Sequence, residues 1–132
     1  MTEEDGVSMS LELAGEAAGD ILPEVFSRYY AACPEAADLM SHMDQHMQGR
    51  MLEEVLRLIM TEDYSEDDVY LNYEVTNHRL SYGVQNRMYP ALLAALRDTV
   101  RAALGQGWTA AFAAAWDQRI QALLAEIERR AA

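Results

Sequence analysis

The three histidines are the residues of this chain best suited to bind a metal or to move a proton, because an unperturbed imidazole titrates near neutral pH. They are His42, His46 and His78. His42 and His46 are four residues apart, which on a helix would place both rings on one face, as in zinc sites. No Glu-Xaa-Xaa-His motif accompanies them. We therefore expect this pair to be exposed to solvent.

His78 stands in the stretch "TNHRLSYGVQNRMYPALL" and has apolar neighbours. Leu71, Val75 and His78 follow the spacing i, i+4, i+7, which predicts one shared helix face and an inward imidazole. Burying a ring nitrogen without a partner costs roughly 1–3 kcal/mol. The ring therefore either donates to a backbone carbonyl one turn back or ligates an iron, with its second nitrogen bonded to a carbonyl. Haem needs only one such ligand in an apolar slot, so both interpretations stay open.

Other kinds of chemistry find little support in the sequence. Cys33 is the only cysteine and no histidine stands near it, so we expect a structural thiol and no disulfide. The net charge of −12, from 22 acidic and 10 basic side chains, disfavours nucleic acid and anionic membranes as partners. The start "MTEEDGVS" is acidic, unlike a signal peptide. No apolar run approaches the ~20 residues of a membrane span. These features predict a cytoplasmic protein.

The pattern of apolar residues predicts helices that must position these groups. We expect a single domain over residues 1–132, with residues 1–8 flexible. Apolar residues make up 51% of the chain and prolines number only 3, which favours helix. Predicted helices lie in "SLELAGEAAGD", after Asp20 up to Pro34, in "GRMLEEVLRLIM", over about 66–80, in "RMYPALLAALRDTVRAAL", and after a Thr109 cap. "SHMDQHMQ" is either a loop or the start of a helix. No segment predicts a strand, so the predicted class is all-α.

Several stretches, in chain order, resemble parts of one family, the globins, in particular bacterial single-domain haem globins and the globin domain of flavohaemoglobins. "ILPEVFSRYYAACPEAADLM" resembles helix B running through the family's proline, here Pro34, into helix C. "MQGRMLEEVL" resembles the start of helix E. "NHRLSYGVQNRMYPALLAAL" is similar to the end of helix F, the FG corner and the start of helix G, and "GWTAAFAAAWDQRIQALLAEI" resembles helix H. The likeness covers residues 20 to 130.

The resemblance implies a three-over-three helical sandwich that binds haem b, with a short N-terminal helix and a short CD region. His78 matches the proximal iron ligand, Gln48 the distal hydrogen-bond donor and Leu52 the aliphatic residue over the iron. Further haem contacts implied by the family are Phe26, Met40, Leu71, Val75, Tyr82, Val84 and Tyr89. Because the CD region is short, an alternative places His46 or His42 on the distal side.

This likeness implies a haem protein that reversibly binds dioxygen or another diatomic gas, for storage, sensing or detoxification. The chain departs from the family at Met40, where nearly all globins have phenylalanine, and at Phe26, where flavohaemoglobins have tyrosine. One alternative is therefore a globin-fold sensor or interaction module without haem. Another is nitric oxide dioxygenase or peroxidase-like turnover with a separate electron-donating reductase. We expect a monomer or a homodimer.

Overall fold

The computed structural model describes residues 6–41, 44–60, 71 and 88–131, and all regular elements in these ranges are helical. They are α1 (Gly6–Ala18), α2 (Leu22–Ala32), α3 (Pro34–Leu39), α4 (Gln45–Ile59), α5 (Met88–Leu104) and α6 (Ala110–Ala131), with a 3₁₀ turn at Gly105–Gly107. The predicted all-α class is confirmed over the described residues. None of the helices in these ranges has the length and apolar character that a membrane crossing requires.

Proline, glycine and a hydroxyl cap set several helix ends where the sequence predicts them. Pro34 opens α3 directly after Cys33, whose backbone (φ −139°, ψ 79°) lies outside the helical region that a following proline disfavours. Gly105 ends the long helix α5 with a φ of +53°, in the left-handed region that glycine occupies without strain. The Thr109 hydroxyl accepts a hydrogen bond from the Phe112 amide at 3.1 Å and caps α6, as predicted.

The second half of the ambiguous stretch "SHMDQHMQ", from Asp44 to Gln48, forms the N-cap and the start of α4. Asp44 has extended backbone and its Oδ1 accepts a hydrogen bond from the Met47 amide at 2.8 Å. This N-cap starts the helix at Gln45, so that Gln48 lies in the first turn. The Asp20 cap differs slightly from its prediction, because α2 begins at Leu22 after Ile21. Asp20 still accepts from the Leu22 amide at 2.9 Å.

The N-terminal helix begins earlier than the sequence suggests. Residues up to 8 are predicted to be flexible, but α1 begins at Gly6 and Val7 is completely buried. A Cβ atom at Gly6 would lie 2.9 Å from the Cβ of Ala115, so α1 and α6 approach each other closely here. The buried Ser10 hydroxyl adds a bond to α6, where it accepts from Trp116 Nε1 at 2.8 Å. Packing against α6 therefore orders a segment whose local sequence is polar.

Helix α5 lies at the centre of the described packing. Helices α1 and α2 both lie against it, α6 packs on α1, α4 and α5, and α2 also contacts α3 and α4. The largest completely buried side chains come from these contacts: Trp116, Ile59, Leu96, Val7, Val25 and Val100. At the far end of α4, Arg119 of α6 donates to the carbonyl of Ile59 at 3.2 Å. Helix α4 is thus held at both ends, by Asp44 and by Arg119.

Candidate functional site

The apolar face of α4 carries a half-buried polar side chain, Gln48. Gln48, Leu52, Val55 and Ile59 follow the spacing i, i+4, i+7, i+11 and therefore share one face of the helix. Leu52 and Ile59 are buried, while Gln48 and Val55 are half-buried. An amide placed on such a face needs a hydrogen-bond partner, because burying it without one is costly. The partner of Gln48 decides what this amide can do.

That partner is a tyrosine on α2. Gln48 Nε2 donates to the hydroxyl oxygen of Tyr30 over 3.1 Å. The two residues are 18 apart in sequence, and the bond joins α2 to α4 where the two helices pack. A glutamine amide has two N–H donors and one carbonyl acceptor, so one N–H and the carbonyl of Gln48 stay available for a further partner.

The Tyr30 ring belongs to a cluster of three aromatic rings on α2. Its centroid lies 5.7 Å from Phe26 in a tilted arrangement and 5.7 Å from Tyr29 in a stacked one. Phe26 and Tyr29 meet edge to face at 6.3 Å. Ring pairs at such separations attract each other beyond the effect of burial alone. The cluster therefore holds the Tyr30 hydroxyl in a defined place beside α4.

Both tyrosine hydroxyls of the cluster stay protonated in neutral solution. Burial is the main cause that raises the pKa of Tyr29 far above its usual value, and the nearby Cys33, Tyr30 and Tyr89 add to the shift. Burial also raises the pKa of Tyr30, against the opposing effect of the hydrogen bond from Gln48. At neutral pH each hydroxyl is therefore a neutral hydrogen-bonding group and contributes no charge to the site.

Five of the apolar residues that the globin resemblance assigns to the haem lie in the described part of the chain, and all five belong to the hydrophobic core or pack against it. Phe26, Met40, Leu52 and Leu71 are all buried, and Tyr89 packs half-buried against them. These residues come from five separate parts of the sequence, namely α2, the turn after α3, α4, residue 71 and α5. Within this set the hydroxyl of Tyr89 is polar. The polar groups beside it are the Tyr29 hydroxyl and the hydrogen-bonded pair of Tyr30 and Gln48. An apolar surround is what a haem slot requires, and the resemblance assigns Phe26 and Leu52 to its distal side and Tyr89 to its proximal side.

The described residues cover only part of the predicted site. His42, Val75, His78, Tyr82 and Val84 lie outside them, so the proximal ligand remains a prediction from the sequence. Within residues 6–41, 44–60, 71 and 88–131, no group of three or more His, Cys, Asp and Glu side chains is arranged to hold a metal ion.

His46, the distal alternative, lies on another side of α4 from Gln48. His46 is exposed on α4, and at 100° per residue its side chain points about 160° away from Gln48 around the helix. The expected exposure of this imidazole is therefore confirmed, while its distal role stays an untested alternative. The inward position on this turn belongs to Gln48, since a helical residue two places away faces another side.

An open groove of about 420 Å³ lies on a different side of α4. Gly49, Leu52, Glu53 and Leu56 line it from α4, and residues of α1 and the α1–α2 connection line it from the other side. Gln48 and Tyr30 are not among its lining residues. Leu52 thus borders both this groove and the inward face of α4, whereas the hydrogen-bonded pair lies away from the groove.

Tyr30 is the site residue that sequence reasoning missed. In the sequence it is one of six apolar residues that mark α2 as amphipathic, and nothing local distinguishes it from Tyr29. Its position could have identified it, because Tyr30 lies one helical turn after Phe26 and so places its hydroxyl on the same side of α2. Comparison of the sequence with known protein families and with curated proteins found no match.

Proposed function

We propose that this chain is a globin that holds haem b through His78 and reversibly binds dioxygen or another diatomic gas. The observation that carries the proposal is the inward amide of Gln48, a half-buried polar side chain on the apolar face of α4, next to Leu52 and paired with Tyr30. A helix face built only to pack against a core gains nothing from an amide, since its burial must be compensated by a hydrogen bond. A ligand-binding site gains a donor there.

The succession of helices supports the three-over-three sandwich as part of this proposal. The break at Pro34 between α2 and α3, the Gly105–Gly107 turn and the Thr109 cap fall where the globin-like segments would meet. The start of α4 at Gln45 puts Gln48 within the first turn of the helix that resembles helix E. These boundaries come from local chemistry and agree with the order of parts in the resemblance.

The residues that would surround a bound haem have different roles. Haem, when bound, supplies an iron centre able to coordinate a diatomic gas. His78 would coordinate from the proximal side, and its second ring nitrogen would need an acceptor that fixes the tautomer. Phe26, Leu52 and Met40 exclude water from the distal side, as buried apolar side chains do. Gln48 offers an N–H to a ligand that carries partial negative charge.

Visible absorption spectra test this proposal. We expect purified protein with added haem to show a sharp Soret band that shifts when the reduced protein meets carbon monoxide. In His78→Gly the band should be lost or altered, and free imidazole should restore it by replacing the missing ring. His46→Ala is the matched control, because it removes an exposed imidazole from α4, and its spectra should equal those of the wild type.

Other results would point to the alternatives. If the wild type takes up no haem, the proposal is wrong, and a globin-fold sensor or interaction module without haem becomes the better interpretation. If His46→Ala changes the reduced spectrum, the exposed histidine turns inward and becomes a second axial ligand. Steady oxidation of nitric oxide with an added reductase would identify a dioxygenase, with the reductase as its electron-donating partner.

A further inference from the structure

The hydrogen bond from Gln48 to Tyr30 divides the donors of the Gln48 amide between two directions. Nε2 carries two N–H groups, and one of them is spent on the Tyr30 oxygen at 3.1 Å. The geometry of a planar amide then sets the direction of the second N–H relative to the first. A fixed acceptor for one donor therefore aims the other.

Tyr30 is a good anchor for this purpose because its ring is held on two sides. Phe26 and Tyr29 each lie 5.7 Å from it, centroid to centroid. A phenol has no flexible chain beyond its ring, so a fixed ring means a fixed oxygen. Glutamine, by contrast, has three rotatable side-chain bonds and loses much rotamer freedom when it is ordered. Tyr30 is thus the rigid member of the pair and Gln48 the adaptable one.

The residue one turn before Tyr30 offers no hydroxyl. Phe26 is buried and lies four residues earlier on α2, so a polar group on this part of α2 has to come from elsewhere. Tyr30 places its hydroxyl toward α4, at the distance of a hydrogen bond from Gln48. Among the described residues, this is the hydrogen bond that connects the polar side chains of α2 and α4.

We propose that Tyr30 is the positioning residue of Gln48, holding one amide N–H so that the second is directed to a diatomic ligand at the site. The inference rests on the proposed function, since the ligand is the gas that the haem protein would bind. Tyr30 itself does not touch the ligand. Its contribution passes through Gln48, and without Gln48 its hydroxyl has no effect on the bound gas.

The C–O stretching frequency of the reduced carbon monoxide complex measures this effect, because it responds to a donor directed at the bound gas. We expect Tyr30→Phe to shift the band toward the position found in Gln48→Leu. The double variant should give the same band as Gln48→Leu alone. Tyr29→Phe is the matched control, since it removes the neighbouring hydroxyl from the same cluster, and it should leave the band in place. Loss of an ordered donor should also raise the rate of ligand release by about two- to tenfold.

Two results with the loaded protein would overturn the inference and leave haem binding intact. One is an unchanged C–O band in Tyr30→Phe. The other is a shift caused by Tyr30→Phe within the Gln48→Leu background, which would mean that Tyr30 acts on the ligand directly. A wild type that takes up no haem would instead defeat the proposed function and this inference together.

The pairing can be tested separately in haem-free protein, by NMR of ring-labelled tyrosine during a pH titration. The Gln48 hydrogen bond lowers the pKa of Tyr30 against the larger effect of burial. Gln48→Leu should therefore move the titration of the Tyr30 signal, assigned with Tyr30→Phe, to higher pH. An unmoved titration would overturn the pairing and with it the positioning role.

Discussion

The buried bond between Ser10 and Trp116 offers a sharp test of how α1 is held to α6. Both side chains have 0% exposure, and Trp116 Nε1 donates to Ser10 Oγ at 2.8 Å. The Ser10 hydroxyl in turn donates to the carbonyl of Val7 at 2.8 Å. Ser10→Ala removes the hydroxyl oxygen that accepts this bond, so the buried indole N–H of Trp116 loses its hydrogen-bond partner. This change tests the bond without altering the apolar packing around the indole.

The magnitude follows from two opposing effects. An unsatisfied buried donor costs roughly 1–3 kcal/mol, whereas alanine improves the helix propensity at this position by about 0.5 kcal/mol. We therefore expect Ser10→Ala to lower the free energy of unfolding by roughly 0.5–2.5 kcal/mol. In a Trp116→Phe background no indole N–H remains, so the same Ser10→Ala change should cost almost nothing. The difference between the two costs is the coupling between the residues.

Urea unfolding followed by far-ultraviolet circular dichroism measures all four proteins of this cycle, because the signal does not depend on the tryptophan that is changed. Thr99→Val is the matched control. It removes a buried hydroxyl that donates to the carbonyl of Ala95 at 2.7 Å inside α5. That carbonyl keeps a backbone partner in the helix, so the loss should stay below about 1 kcal/mol. Equal costs of Ser10→Ala in both backgrounds would refute the reasoning.

Two further predictions concern α1 and α6. Gly6→Ala should destabilise the protein because its Cβ would meet that of Ala115 at 2.9 Å, whereas Gly15→Ala, with nothing within 4 Å of its Cβ, should stabilise it by roughly 0.5–1 kcal/mol. Thermal unfolding of both variants checks the opposite signs, and a loss in Gly15→Ala would contradict them. The pKa of Glu126 is lowered, and the hydrogen bond from Arg129 is the main cause. The ionised carboxylate therefore stabilises the folded protein above its unfolded-state pKa. This stability is lost as the pH falls through the folded-state pKa. Glu126→Gln should therefore reduce stability by no more than about 0.5 kcal/mol at neutral pH and by nothing in acid; a pH-independent difference in urea midpoint would argue otherwise.

Much of the helix layout follows from residues that act locally. Pro34 separates α2 from α3, and the glycines at 105 and 107 and the Thr109 hydroxyl end one long helix and begin the next. Each of these effects needs only a neighbouring stretch of chain, which is why the sequence predicts them. The inward side of α4 is also predictable as far as its apolar residues mark it, since helical periodicity places Leu52, Val55 and Ile59 on one face.

Contacts between distant segments are different, because no local pattern encodes them. Polar residues at the N-terminus predict a flexible start, yet Val7 is buried and Ser10 binds a tryptophan 106 positions away. The value of Ser10 as an acceptor appears only when α6 lies beside α1. Its helix, read alone, is weakly amphipathic and gives no reason for order at Gly6.

The sequence by itself determined the helical class, most helix ends and the strong negative charge. Tertiary structure decided which side chains contact each other. Tyr30 becomes the partner of Gln48 only because α2 packs against α4, which brings the Tyr30 hydroxyl oxygen within 3.1 Å of Gln48 Nε2. It also decided that His46 is exposed while Gln48, two residues on, faces inward from a helix whose start is set by Asp44. Propensity and periodicity act within one turn of the chain, whereas a hydrogen bond between two helices depends on how the whole chain packs.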